Sequence, residues 1–280
     1  MKIIAKSQIF VALCAMLLTA ETFIIADLNY AWLTLAASFF STLFIYNASL
    51  IQVSLFEKSE NGKTVQIEGR SWHVGICVIS ITLIFIILTR FKIEQVIIFT
   101  GTSLFSLLYM MPFNLNGVRL KGIRNNLILK NIILSVIWSV ATVWFPLAGV
   151  QGWEMDHDLI FMFLRRFFFI YSLTIIYDIR DLKSDKTNGM VTIPLKFGIV
   201  GTRIWAFASL LLFCFFIYCD PYMSDPGVIH LSTALYLSAL IAAFIIFSTQ
   251  SKRRPAYYSF VVDGAMAIQF LLVLFFSLTR

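Results

Sequence analysis

Apolar residues along this chain come in long blocks rather than in strand-like alternation. Nine blocks reach spanning length: 7–26, 30–55, 71–89, 95–112, 127–149, 159–177, 200–219, 228–248 and 256–278. A hydrocarbon core about 30 Å thick takes about 20 residues of helix, and a helix satisfies its backbone N–H and C=O groups internally. The pattern predicts an all-α, polytopic membrane protein with nine transmembrane helices. The polar interruptions contain no low-complexity linker or repeat, so residues 1–280 read as one domain. Lys2 and Lys6 give the first block the basic flank of a secretory signal, but its length and the eight blocks behind it favour a retained span.

The charged residues orient these spans. With the N-terminus in the cytoplasm, only Arg90, Lys92, Arg165, Arg166 and Arg280 of the 22 basic residues lie outside or in outer halves of spans. That is the positive-inside bias. It places the loops after spans two, four, six and eight in the cytoplasm and the acidic turns 154–158 and 220–225 outside. Composition agrees: 59% of residues are hydrophobic and 13% charged, with a mean hydropathy of +0.85, whereas soluble domains carry about a quarter charged residues. The net charge of +7 follows topology, so the expected partner is a lipid bilayer and no nucleic acid. Cys14, Cys77, Cys214 and Cys219 lie in apolar blocks without a CxxC pair and read as packing residues.

One polar stretch, residues 177–186, follows directly on the sixth block and brings carboxylates to the membrane edge. Asp178, Asp181 and Asp185 fall at about 0°, 300° and 340° around a helix, one face about 60° wide. Arg180, Lys183 and Lys186 fall away from it. Crowded carboxylates repel unless a cation sits among them, and Mg²⁺ characteristically takes one or two carboxylates plus substrate phosphate oxygens. Calcium, or a solvated helix end without metal, also suits so short a pattern.

The DxxDxxxD stretch, followed by Thr192-Ile-Pro194 and Lys196-Phe-Gly198, resembles the second signature of the UbiA-type intramembrane prenyltransferases. The resemblance implies two helical quartets and a ninth helix around a central cavity, each quartet with one aspartate motif. It implies transfer of an isoprenyl chain from its diphosphate to an electron-rich, hydrophobic or aromatic acceptor, with Mg²⁺ held by Asp178, Asp181 and Asp185 on the cytoplasmic side. The first signature, NxxxDxxxD, maps onto Asn47, Ile51 and Leu55, so only its asparagine is present. Asn47 is then a candidate phosphate ligand, or a hydrogen-bonding link between helices. Arg119 and Lys121 match a family basic cluster that holds diphosphate, although the positive-inside bias alone also puts basic residues there. Tyr46, Tyr109 and Tyr177 adjoin these polar sites and suit an allylic cation. The missing aspartates motivate an alternative: a non-catalytic lipid- or isoprenoid-binding or transport protein on the same scaffold. Arg165, Arg166 and Asp263 sit inside apolar blocks and need partners or a cavity. His73 reads as interfacial.

Overall fold

The computed structural model describes residues 8–56, 70–110, 114–115, 118–119, 129–150, 157–187 and 191–279. Among them the nine apolar blocks each become a helix: α1 Ile9–Ile25, α2 Trp32–Phe56, α3 Arg70–Leu88, α4 Ile93–Met110, α5 Leu129–Leu147, α6 His157–Thr187, α7 Ile193–Tyr218, α8 Ile229–Ser248 and α9 Pro255–Leu278. Seven of these are long and apolar enough to cross a membrane; α1 and α4 are shorter apolar helices. The only described extended pairing joins Asn114–Leu115 (β1) to Val118–Arg119 (β2), antiparallel, between α4 and α5.

The helices close a ring. α1 packs on α2 and α9, α5 on α6, α6 on α7, α7 on α8 and α8 on α9, while α4 touches α2 and α5. α6 lies deepest, with Phe169, Ile175, Ile176 and Ile179 fully buried. The outer surface keeps large apolar side chains such as Trp72, Phe85, Ile97, Phe215 and Phe244 exposed, as a lipid-facing surface requires.

Two helices contain π turns, Val140–Trp144 in α5 and Tyr258–Val262 in α9. Each has a neighbouring helix's hydroxyl donating to one of its carbonyls. Pro146 has no N–H to give the Thr142 carbonyl four residues earlier, and the Thr22 hydroxyl of α1 donates to that oxygen at 2.7 Å. In α9, the Tyr177 hydroxyl of α6 donates to the Tyr258 carbonyl at 2.9 Å. In lipid such carbonyls need protein donors.

The two arginines inside span six each meet a carboxylate. Arg166 reaches Glu21 of α1 at 3.2 Å and donates to the Leu18 carbonyl at 3.1 Å, while Arg165 pairs with Asp220 beyond α7. Both pairs are buried. They lie about 18–20 Å along α6 from Asp178, at 1.5 Å per residue, so they fasten the opposite end of the bundle and take no part in the aspartate site. α7 starts with Pro194 in its first turn and bends at Gly198, where φ 70° and ψ 176° interrupt the helix. Glycine is the residue that adopts this conformation without strain.

Candidate functional site

The aspartate stretch does not leave the helix as a loop. α6 continues to Thr187, so the carboxylates are fixed on its last turns. Asp178 and Asp185, i and i+7, lie about 20° apart around the axis and both turn inward, each 4% exposed. They converge on the ammonium of Lys130 at the start of α5, with Nζ 2.7 Å from Asp178 Oδ1 and 3.7 Å from Asp185 Oδ2. Asn131 donates its Nδ2 to the other oxygen of Asp178 at 3.0 Å.

Asp181 does not join them. It sits about 60° round from Asp178 and takes a two-pronged ion pair with its neighbour Arg180, Nε to Oδ1 at 2.7 Å and Nη2 to Oδ2 at 2.9 Å. The Arg180 guanidinium also lies 4.9 Å from the Tyr177 ring centre and 5.9 Å from that of Tyr258. Asp263, at the end of the α9 π turn, faces the Tyr177 hydroxyl. Among the described residues no group of three Asp, Glu, His or Cys side chains is gathered as a metal site. Asp178 and Asp185 are two carboxylates, held around the Lys130 ammonium. They suit one hard divalent ion that takes its remaining ligands from phosphate and water.

Asn47 is fully buried. Its Nδ2 donates to the Leu43 carbonyl at 2.7 Å, and its Oδ1 lies 2.7 Å from His73 Nδ1 on α3. In this arrangement Asn47 links α2 to α3. His73, in the first turn of α3, is correspondingly buried. Arg119 is described only through its backbone pairing with Asn114, and Lys121 lies outside the described residues.

A cavity of about 70 Å³ opens between α1, α2, α4 and α5, with Tyr46, Tyr109, Phe99, Trp138 and Phe145 among its walls. Three of its hydroxyls turn back on their own helices, Ser41 to Ser38, Thr102 to Ile98 and Thr142 to Trp138. Tyr109 links cavity and site, because its hydroxyl donates to the Lys130 carbonyl at 3.2 Å.

Lys130 and Asn131 are the residues that sequence reasoning undervalued. The signal was a polar stripe in an apolar block: Asn131, Ser135 and Ser139 recur every four residues and are all buried, each serine bonding back one turn.

At the level of sequence, no protein-family model and no curated protein matches this chain. Solved structures do. A UbiA homologue from Archaeoglobus fulgidus bound to GPP and Mg²⁺ superposes with a TM-score of 0.63 at 15% identity, covering 98% of this chain and 100% of that one. The chain has the UbiA fold. A digeranylgeranylglyceryl phosphate synthase matches with a TM-score of 0.59 at 14% identity over 99% of this chain and 96% of that one. The apo UbiA homologue from Aeropyrum pernix K1 matches at 0.55 and 9% identity, over 96% and 94%. With its seven long apolar helices, this UbiA-fold chain is an integral, multi-pass membrane protein.

Proposed function

We propose that this protein is a magnesium-dependent membrane prenyltransferase, moving an isoprenyl chain from its diphosphate to an electron-rich, hydrophobic or aromatic acceptor. The observation that carries this reading is the convergence of buried Asp178 and Asp185 on the Lys130 ammonium, which Tyr109 links to an apolar cavity. The fold it shares with the UbiA homologue from Archaeoglobus fulgidus bound to GPP and Mg²⁺ supports it. All nine helices cross the bilayer in this reading, α1 and α4 included. The distribution of basic residues sets the N-terminus and the carboxylates on the cytoplasmic side.

Asp178 and Asp185 would hold Mg²⁺, joined by Asp181 when Arg180 releases it. Mg²⁺ bound there would supply positive charge against which a departing diphosphate is stabilised. Arg119 and Lys121 hold the diphosphate, with Asn47 contributing if its amide turns from His73. The bond between the allylic carbon and the diphosphate oxygen breaks, and its electron pair leaves with the diphosphate. The allylic cation lies against the aromatic faces of Tyr46 and Tyr109, and the cavity below them takes the hydrocarbon tail. The acceptor's carbon then supplies the electron pair for the new bond and gives up a proton.

A second reading, isoprenoid binding or transport without turnover, is favoured by one observation. α2 carries Ile51 and Leu55 where the resemblance calls for aspartates. The two separate on one experiment. Purified protein in lipid nanodiscs receives geranyl diphosphate, Mg²⁺ and an aromatic acceptor panel, and released diphosphate is measured. Release that stops with chelator supports transfer. Retention of the donor with no release across the panel supports the binding protein.

A further inference from the structure

Lys130 sits between the two buried carboxylates of the candidate metal site. Its side chain is 12% exposed, and the two carboxylates it meets are 5% exposed each. One oxygen of Asp178 is capped by Asn131. The other, together with Asp185 Oδ2, faces the ammonium. A divalent ion held by Asp178 and Asp185 would draw on the same carboxylate charge that the Lys130 ammonium now neutralises. Ion and ammonium would therefore compete.

We propose that Lys130 is a built-in counter-cation that competes with the divalent ion for Asp178 and Asp185, so that the ion enters only together with a diphosphate. Resting on the prenyl-diphosphate reading for the identity of the anion, this adds an order to binding. Alone, an arriving metal strands a buried ammonium, and a buried charge deprived of its partner is costly. A diphosphate removes that cost, because its oxygens accept the displaced ammonium, whose four-carbon stem lets it move. Metal and anion then bind with positive coupling, and by linkage each raises the affinity of the other. When the anion leaves, the lysine returns and expels the ion.

The test uses the full chain in nanodiscs, with no anion present and Mn²⁺ as the probe, read by the paramagnetic resonance signal of free Mn²⁺. Lys130→Met is expected to bind Mn²⁺ at least tenfold more tightly than wild type. Lys130→Arg, which keeps the charge, is expected to bind as wild type does. Adding Asp178→Asn to Lys130→Met is expected to abolish the gain. Equal affinity of wild type and a folded Lys130→Met overturns the proposal. A second arm needs no variant: Mg²⁺ alone is expected to leave the wild-type Tm unchanged, and Mg²⁺ with inorganic diphosphate to raise it. A wild-type Tm raised as much by Mg²⁺ alone as by the mixture also overturns it. Retention of labelled geranyl diphosphate is measured in the same samples. If neither protein retains it while the Mn²⁺ affinities still differ tenfold, the prenyltransferase reading fails and the competition stands.

Discussion

The pair formed by Arg166 and Glu21 gives the sharpest energetic expectation for the fold, because it lies inside the bundle with side chains 3% and 2% exposed. Replacing Glu21 with leucine puts an apolar side chain of similar size on α1 and leaves the guanidinium without its carboxylate. Breaking a buried pair by removing one partner costs about 3–5 kcal/mol. Here Arg166 keeps the Leu18 carbonyl at 3.1 Å and the Thr22 hydroxyl at 3.4 Å, which puts the expectation at the lower end, about 3 kcal/mol. The double replacement Glu21→Leu with Arg166→Leu removes both charges and should recover most of that loss. Reversible unfolding in mixed micelles, followed by tryptophan fluorescence, measures all of the cycle. A single variant within about 0.5 kcal/mol of wild type, or a double variant less stable than the single, would refute the account of what ties α1 to α6.

Other expectations follow from the same geometry. Asp178→Asn should weaken Mg²⁺-dependent retention of geranyl diphosphate tenfold or more, about 1.4 kcal/mol. Asp181→Asn should cost less, because its carboxylate is paired with Arg180; equal losses in equilibrium binding would show that all three aspartates act alike. Gly198→Ala should destabilise by about 1–3 kcal/mol through backbone strain alone, since nothing lies within 4 Å of the added methyl group. An unchanged melting temperature would mean that the bend of α7 relaxes freely. In a background lacking the native cysteines, Asp225→Cys should label from the outside and Lys252→Cys from the cytoplasm; the reverse pattern would invert the topology.

Much of this molecule is legible in its sequence because lipid narrows the choices. Apolar blocks of spanning length have to be helices, and each predicted block is one, down to α9 at Pro255–Leu278. The helical spacing of Asp178 and Asp185 likewise carries directly into space. What the sequence concealed is which partner each polar group finds across the bundle. Periodicity puts Asp181 near its companions, but an adjacent guanidinium with two aligned N–H groups holds it elsewhere. Lys130 reads as one more basic residue of a cytoplasmic loop until α5 and α6 are packed together. The Asn47–His73 contact joins residues 26 positions apart on two different helices. Arg165 and Arg166 are adjacent in sequence, yet their carboxylates come from two different places in the chain, and no spacing rule links them.

The central claim is that Asp178 and Asp185 form a cation site that a prenyl diphosphate shares. Equilibrium binding of labelled geranyl diphosphate to the purified protein in nanodiscs tests it most directly, with Mg²⁺ or with chelator, for wild type and for Asp178→Asn with Asp185→Asn. The account predicts saturable binding to wild type that needs Mg²⁺ and at least a tenfold loss in the folded double variant. Binding that is indifferent to Mg²⁺, or equally tight in the double variant, would contradict it.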